Sequence, residues 1–294
     1  MTRLFLPLAV LLCISCQSTE KDREQAIWEM GWRMIEASWE QDLARAEATF
    51  DSLRTLTEVE NLDPQFISVG LLMKYLQGKQ GEVNELLRSV GEEQRIRLCE
   101  GEVLSGYKAC AGVAAPPEPT HPELRKRLIK LYVDDQYTRG NRLDDLMRAY
   151  QIPIDSVSKV SGVQVDANNR EALKAIIAEY GFPTAKMVGS EAMKGVFFII
   201  QHADRDPEWQ RDQLPHIKEA VDRGDLDASD YAYLYDRIQV NAGNPQRYGS
   251  QFRKVDKEAG IAELAEVENP DQLDRRRMEM GMMPIRLYRE RMLE

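Results

Sequence analysis

From Trp28 onward, apolar residues recur at spacings of three and four rather than two, and this period restricts the fold more than any other feature of the chain. Trp28, Trp32, Ile35, Trp39, Leu43, Ala46, Phe50 and Leu53 make the first run. On a 3.6-residue helix these positions share one face, which predicts a single amphipathic helix of about seven turns. Three of the four tryptophans lie in it. Burial against neighbouring helices accounts for them more simply than a ligand platform does. Asp63-Pro64 then offers an N-cap and a first-turn proline to a helix through Phe66, Val69, Met73 and Leu76, with Gly78 and Gly81 to end it.

A shorter helix carries Val83, Leu86, Leu87 and Val90. This helix, glycine turn, helix arrangement resembles a tetratricopeptide hairpin, but no second copy follows at the expected period of about 34 residues. Pro116, Pro117, Pro119 and Pro122 crowd one short stretch, and such a stretch is extended rather than helical. It separates a helical module at 26–112, through a linker at 113–122, from a domain at 123–294.

Helical spacing continues beyond the linker. Thr120 and Pro122 start a helix that buries Leu124, Leu128 and Leu131, and a polar stretch runs from Tyr137 to Ala167 around a short helix that ends at Pro153. Leu173, Ile176, Ile177 and Tyr180 make a helix stopped by Gly181 and Pro183. The segment 190–203, with Val196-Phe-Phe-Ile-Ile200 at its centre, is apolar all round and so belongs in the middle of the domain. Asp206-Pro207 and Asp227 cap two more helices, and Asn269-Pro270 and Pro284 open the last two. Only 247–252 and 261–267 read as strands, joined by a turn with Gly260. The expected fold class is all-α, mainly: an N-terminal helical-hairpin module and a C-terminal helical domain with a small β-hairpin.

The N-terminus reads as an address. One basic residue, Arg3, precedes an apolar run from Leu4 to Ile14, the layout of a secretory signal and too short for a bilayer-spanning helix of about 20 residues. Ser15-Cys16 resembles the lipobox of bacterial lipoproteins, with 1–15 as the removed signal, Cys16 as the lipidated residue and 16–25 as a tether. Cys13 fits less well, because bulky Leu12 precedes it. In that scheme Gln17, rather than Asp, implies sorting to the outer membrane, facing the periplasm. Export to an oxidising compartment also changes the remaining pair: Cys99 and Cys110, with two glycines between them, read as a disulfide. No further Cys-x-x-Cys or His pair supports a metal reading there.

Charge narrows the partners. With 39 basic against 49 acidic residues the net charge is −10, and nucleic-acid affinity rests on clustered Lys and Arg, so no nucleic-acid partner is expected. No P-loop, H-E-x-x-H or G-x-G-x-x-G is present, and no cofactor is expected.

The segment Gln201-His-Ala-Asp204-Arg-Asp206-Pro-Glu-Trp-Gln210 is followed by Tyr235-Asp236-Arg237 and by Asn244-Pro-Gln246-Arg-Tyr248-Gly-Ser250-Gln251-Phe252. These residues resemble a family of bacterial proteins of unknown function whose core runs Q-H-A-D-x-D-P-x-x-Q, then A-Y-L-x-D-R, then P-Q-x-Y-G-[ST]-Q-F. Further matches are Asp135-Gln136 with Arg139, Gly181-Phe-Pro-Thr184, Val188-Gly189, and Arg276-Arg277 with Gly281 and Pro284. The resemblance covers about 122–290 and implies no catalytic residues.

Physically, Gln201 and His202 extend an apolar helix, so at least one points inward and needs a partner. Asp236, Arg237, Gln246, Tyr248 and Gln251 are the candidates, and with Gln201 and His202 they form the expected binding set. A catalytic reading makes His202 the general base, Asp204 or Asp236 its orienting carboxylate, and Ser250 a nucleophile, although no G-x-S-x-G elbow surrounds Ser250. Metal binding by His202, Asp204, Asp206 and His216 lacks a closed ligand set, so none is expected. Arg275-Arg276-Arg277 reads as a solvated face answered by Asp271, Asp274 and Glu279, with Arg276 or Arg277 able to fold onto Asp236. The expectation is a membrane-anchored envelope lipoprotein, partnered by the bilayer through Cys16 and by an unknown envelope ligand or protein. It is read as a non-catalytic binding module, with a small hydrolase or transferase using His202 as the alternative.

Overall fold

The computed structural model describes residues 8–100, 104, 106–113 and 117–294, without the side chains of 8–19, 93 and 100. The start of the signal segment, the side chain of Cys16 and the linker residues 114–116 therefore lie outside the described residues. Among the described residues there are fourteen α-helices and one two-stranded antiparallel sheet, so the chain is all-α apart from that hairpin. None of these helices is long and apolar enough to cross a membrane. The chain divides into two compact units, one up to residue 116 and one from 117.

In the first unit the tryptophan run is two helices, not one. Helix α1 (Leu8–Trp39) stops at a turn where Gln41 takes a left-handed φ of 60°, and α2 (Leu43–Leu56) starts from Asp42, whose side chain accepts from Arg45 N. The spacing of three and four continues unbroken across that turn, so periodicity alone could not reveal it. Asp63 caps α3 (Pro64–Leu76) as its sequence predicts, accepting from Gln65 N. Helix α4 (Gln80–Ser89) buries Val83, Leu86 and Leu87, and α5 (Glu92–Glu100) leads to the Cys99–Cys110 disulfide. Gly81 lies inside α4 and does not terminate α3. Glycines set how closely these helices meet: a Cβ on Gly70 would lie 2.4 Å from the Phe50 ring, and one on Gly31 2.3 Å from Phe66.

The second unit is built round α10 (Ser190–Gln201), which buries Ala192, Met193, Gly195, Val196, Phe197, Ile199 and Ile200. Against it lie α6 (Pro122–Tyr137) and α8 (Gly162–Tyr180), and the shared core includes Leu128, Ile129, Val133, Leu173, Ile176 and Ile217. Helix α8 begins well inside the stretch that reads as polar, at Ser161, whose hydroxyl caps it. Helices α11 (Pro207–Asp222) and α12 (Ala228–Asn241) follow, the second closed by a capping box between Asp227 and Asp230. Strands β1 (Phe252–Asp256) and β2 (Ile261–Leu264) pair antiparallel. The first strand starts where the predicted one ends, because 247–251 is wound round a buried carboxylate instead.

Candidate functional site

Close approach of α6 and α10 creates the site. Gly195 permits it, since a Cβ there would sit 2.8 Å from Tyr132 Cβ. Tyr132 stacks on Phe198 at 5.4 Å, and Phe198 on the His202 ring at 5.8 Å. One turn beyond Tyr132 comes Asp135, and one turn beyond Phe198 comes His202, so the same two faces bring imidazole and carboxylate together. His202 Nδ1 donates to Asp135 Oδ1 at 2.8 Å. Because a carboxylate only accepts, this bond places a hydrogen on Nδ1.

Asp135 is fully buried, and a buried charge needs partners on both oxygens. Oδ1 also accepts from Arg139, 3.1 Å away in the turn just past the end of α6, while Oδ2 accepts from Gln136 Nε2 at 2.8 Å. Asn141 fixes Gln136 in turn, donating to its Oε1 at 2.8 Å. The guanidinium of Arg139 reaches across to Asp166 Oδ1 at 2.8 Å, on α8. Helix α8 is held there by Asn169, one turn further on, which donates to the Leu131 carbonyl. Two carboxylates, one guanidinium and one imidazole thus meet from three helices. His202 keeps 11% of its side-chain surface exposed and Asp166 22%, so the cluster opens to solvent on that side.

The residues expected to surround His202 are placed elsewhere. Asp204 does not orient it: that carboxylate binds Arg237 in a two-point ion pair and takes Asn241 Nδ2 and Gln210 Nε2 besides. Burial pushes its carboxyl up, but Arg237 with Gln210 and Asn241 outweighs this and holds it below the usual range. Gln210 also donates to the carbonyls of Ile200 and Gln201, closing the end of α10, and Asp206 caps α11 by accepting from Trp209 N. The Q-H-A-D-x-D-P-x-x-Q segment is therefore a helix-to-helix joint in which most polar groups are occupied by the fold.

Asp236 is the centre of a second cluster. Its two oxygens accept the backbone N–H groups of Arg247, Tyr248 and Ser250. Gln246 bonds both ways with the Gln251 backbone and donates to the Ala265 carbonyl, so it pins the loop to the strand region. Ser250 is buried, and its hydroxyl accepts from Gln251 Nε2. Arg276 and Arg277 are buried, not a solvated face. Arg276 donates to the carbonyls of Arg247 and Asn269, and Arg277 to those of Tyr248, Gly249 and Met283. Only Arg275 follows the exposed reading, pairing with Glu279. Unpaired loop carbonyls accept from guanidinium groups as carboxylates do, and sequence shows only the carboxylates.

Of the donors considered for a metal from sequence, Asp206 pairs with Lys174 and His216 stacks on Phe182. A different group assembles among the described residues: one ligand atom each from Asp135, Asp166 and His202, all within 4.8 Å of one another. Asp135 and Arg139 were visible as an i, i+4 pair beside Gln136. Asp166 gave no signal, because its helix lies in a stretch with little apolar periodicity.

No curated protein and no solved structure matches the chain. Residues 122–294, which contain both clusters, match the sequence pattern of a family of unknown function, DUF6624, and the chain belongs to that family.

Proposed function

We propose that the chain is a cell-envelope lipoprotein, anchored through Cys16, whose C-terminal domain is a non-catalytic binding module acting at the Asp135, Arg139, Asp166 and His202 cluster. The observation that carries this is the 2.8 Å bond from His202 to buried Asp135. It fixes the ring at a partly exposed position, while Asp204 and Arg237 are paired with each other and Asp236 and Gln246 are taken up by backbone bonds. A fixed imidazole beside a guanidinium and a partly exposed carboxylate offers a donor, an acceptor and charges of both signs to one ligand.

The same bond favours a second reading, a small hydrolase or transferase. A carboxylate that selects the Nδ1–H tautomer leaves Nε2 ready to take a proton. Native mass spectrometry of wild type and His202→Gln, with a panel of ester and phosphoester substrates, separates the two. A binding module carries a bound mass that His202→Gln loses at unchanged melting temperature, and neither protein turns over substrate. Turnover lost in His202→Gln would replace this reading with the enzyme, and identical bound masses without turnover would remove both. For the anchor, labelled palmitate is expected on the wild type and not on Cys16→Ser; an unlabelled wild type would refute it.

A further inference from the structure

We infer that Asp135, Asp166 and His202 form a binding site for a divalent first-row transition metal, with Arg139 as the cation that holds the place when no metal is bound. This names the ligand of the cluster proposed above and rests on that reading.

The donor set is mixed, two carboxylates and one imidazole, which suits zinc or manganese better than calcium or magnesium. Their ligand atoms already lie within 4.8 Å of each other; for Nδ1 of His202 to ligate, its hydrogen moves to Nε2 or is released to solvent, and the bond to Asp135 is given up. Metal–ligand bonds of about 2.0–2.2 Å place donors roughly 3–4.4 Å apart, so closing round an ion asks the widest pair to contract by about 0.4–1.8 Å, depending on the coordination angle. Each donor comes from a different helix element, α6, α8 and the end of α10, which is how helical domains build carboxylate metal centres. Asp135 is also supported from behind, by the Asn141 to Gln136 to Asp135 chain of 2.8 Å bonds. Outer bonds of that kind orient metal ligands and raise affinity about 10–100-fold.

Arg139 is the second observation. Its guanidinium already bridges both carboxylates, at 3.1 Å to Asp135 and 2.8 Å to Asp166, so the position selects a cation. Two carboxylates face this one guanidinium, and a doubly charged ion matches their charge more closely. The Arg139 side chain is 28% exposed and has a flexible stem, so it is able to turn outward as the ion enters.

The test is calorimetric titration of the chelator-treated full chain with zinc and, separately, manganese, with calcium and magnesium as controls. Zinc or manganese is expected to bind one per chain. Asp166→Asn and His202→Gln should each weaken it about 10-fold or more, and Arg139→Gln should tighten it, since a competing cation is gone. Circular dichroism checks each fold; if His202→Gln is damaged, Asp166→Asn at its partly exposed position decides. A wild type binding more weakly than about 1 mM, or an Asp166→Asn variant binding like wild type, overturns the metal site. Either result leaves the binding-module reading to its own mass-spectrometric test, where a bound organic mass would still support it.

Discussion

Asp236 and Arg277 grip one turn through its backbone from opposite chemical ends. The carboxylate takes the N–H groups of Arg247, Tyr248 and Ser250, and the guanidinium gives to the carbonyls of Tyr248 and Gly249. Both side chains are completely buried. The turn needs them because Gly249 is left-handed, at φ 66°, and this irregular backbone finds no ladder of its own to satisfy it. The charges thus serve shape, and no exposed chemistry need be assigned to this cluster.

Replacing Asp236 by Ala is expected to cost about 3–5 kcal/mol, because it strands three backbone donors and removes one of the carboxylates, Asp274 being another, that offset the buried charge of Arg277. Asp236→Asn keeps one accepting oxygen and should recover part of that loss. Urea unfolding of the two variants measures both. A loss below about 1 kcal/mol for the alanine variant would show that the turn holds itself.

Lys74 gives the first unit a pH signature. Its ammonium, buried on α3, contacts Glu47 at 3.0 Å, Asp51 at 3.1 Å and Glu82 at 2.7 Å. Burial alone would lower its pKa, but the carboxylates outweigh that and raise it above the ordinary 10.5. Its contribution is therefore complete below that value and lost as pH climbs through the higher folded one. Burial pushes Glu47 up, yet bonds from Lys79 and Lys74 hold it below 4.5, and the bond from Lys74 does the same for Glu82. Those contributions are present above the ordinary glutamate value and disappear as pH falls through the lower folded ones. Melting temperature against pH should show a plateau from about pH 5 to 10 with both limbs falling. Lys74→Met should lower the plateau, by a loss of about 3 kcal/mol in unfolding free energy, and flatten both limbs; unchanged limbs would place the pH dependence elsewhere.

How much of this was legible follows from what periodicity and capping can encode. Asp63-Pro64, Asp206-Pro207 and Asp227 act within their own helices, so the sequence shows them directly, and the apolar 190–203 segment is the centre of its domain for the same local reason. The Trp39 to Leu43 turn was hidden because the apolar spacing runs straight through it. His202 could be recognised as a polar group needing a partner, but its partner is 67 residues away. Proximity in sequence favoured Asp204, which the fold commits to Arg237. Asp236 was found and misassigned, since nothing in a sequence says that three backbone N–H groups will surround a carboxylate.

Gly70 carries a packing prediction that opposes helix propensity. Alanine is favoured over glycine inside a helix by about 1 kcal/mol, so Gly70→Ala in α3 would ordinarily stabilise. Here its Cβ would fall 2.4 Å from the Phe50 ring on α2. Phe50 is completely buried, so the ring has little room to retreat, and overpacking of this kind costs about 1–3 kcal/mol. The net expectation is destabilisation, seen as a lower urea midpoint, and Gly70→Ala combined with Phe50→Leu should lose less than the two separate changes added together. Simple additivity would show that ring and glycine are not in conflict.

The Cys99–Cys110 bridge closes a loop spanning 11 residues in sequence, and the loop has a second attachment. Ala109 N donates to Asn84 Oδ1 at 2.9 Å, tying the segment before Cys110 to α4. A disulfide over a loop this short restricts the unfolded chain by about 2.5–3 kcal/mol in the chain-entropy account, whereas one hydrogen bond contributes about 1 kcal/mol. The Cys99→Ser, Cys110→Ser double variant should therefore lower protection of α4 amides against hydrogen exchange by about 2.5–3 kcal/mol. Asn84→Ala should lower it by about 1. If the two losses were equal, the bridge would be acting only as a second local contact, and its restriction of the unfolded chain would be ruled out as the main term.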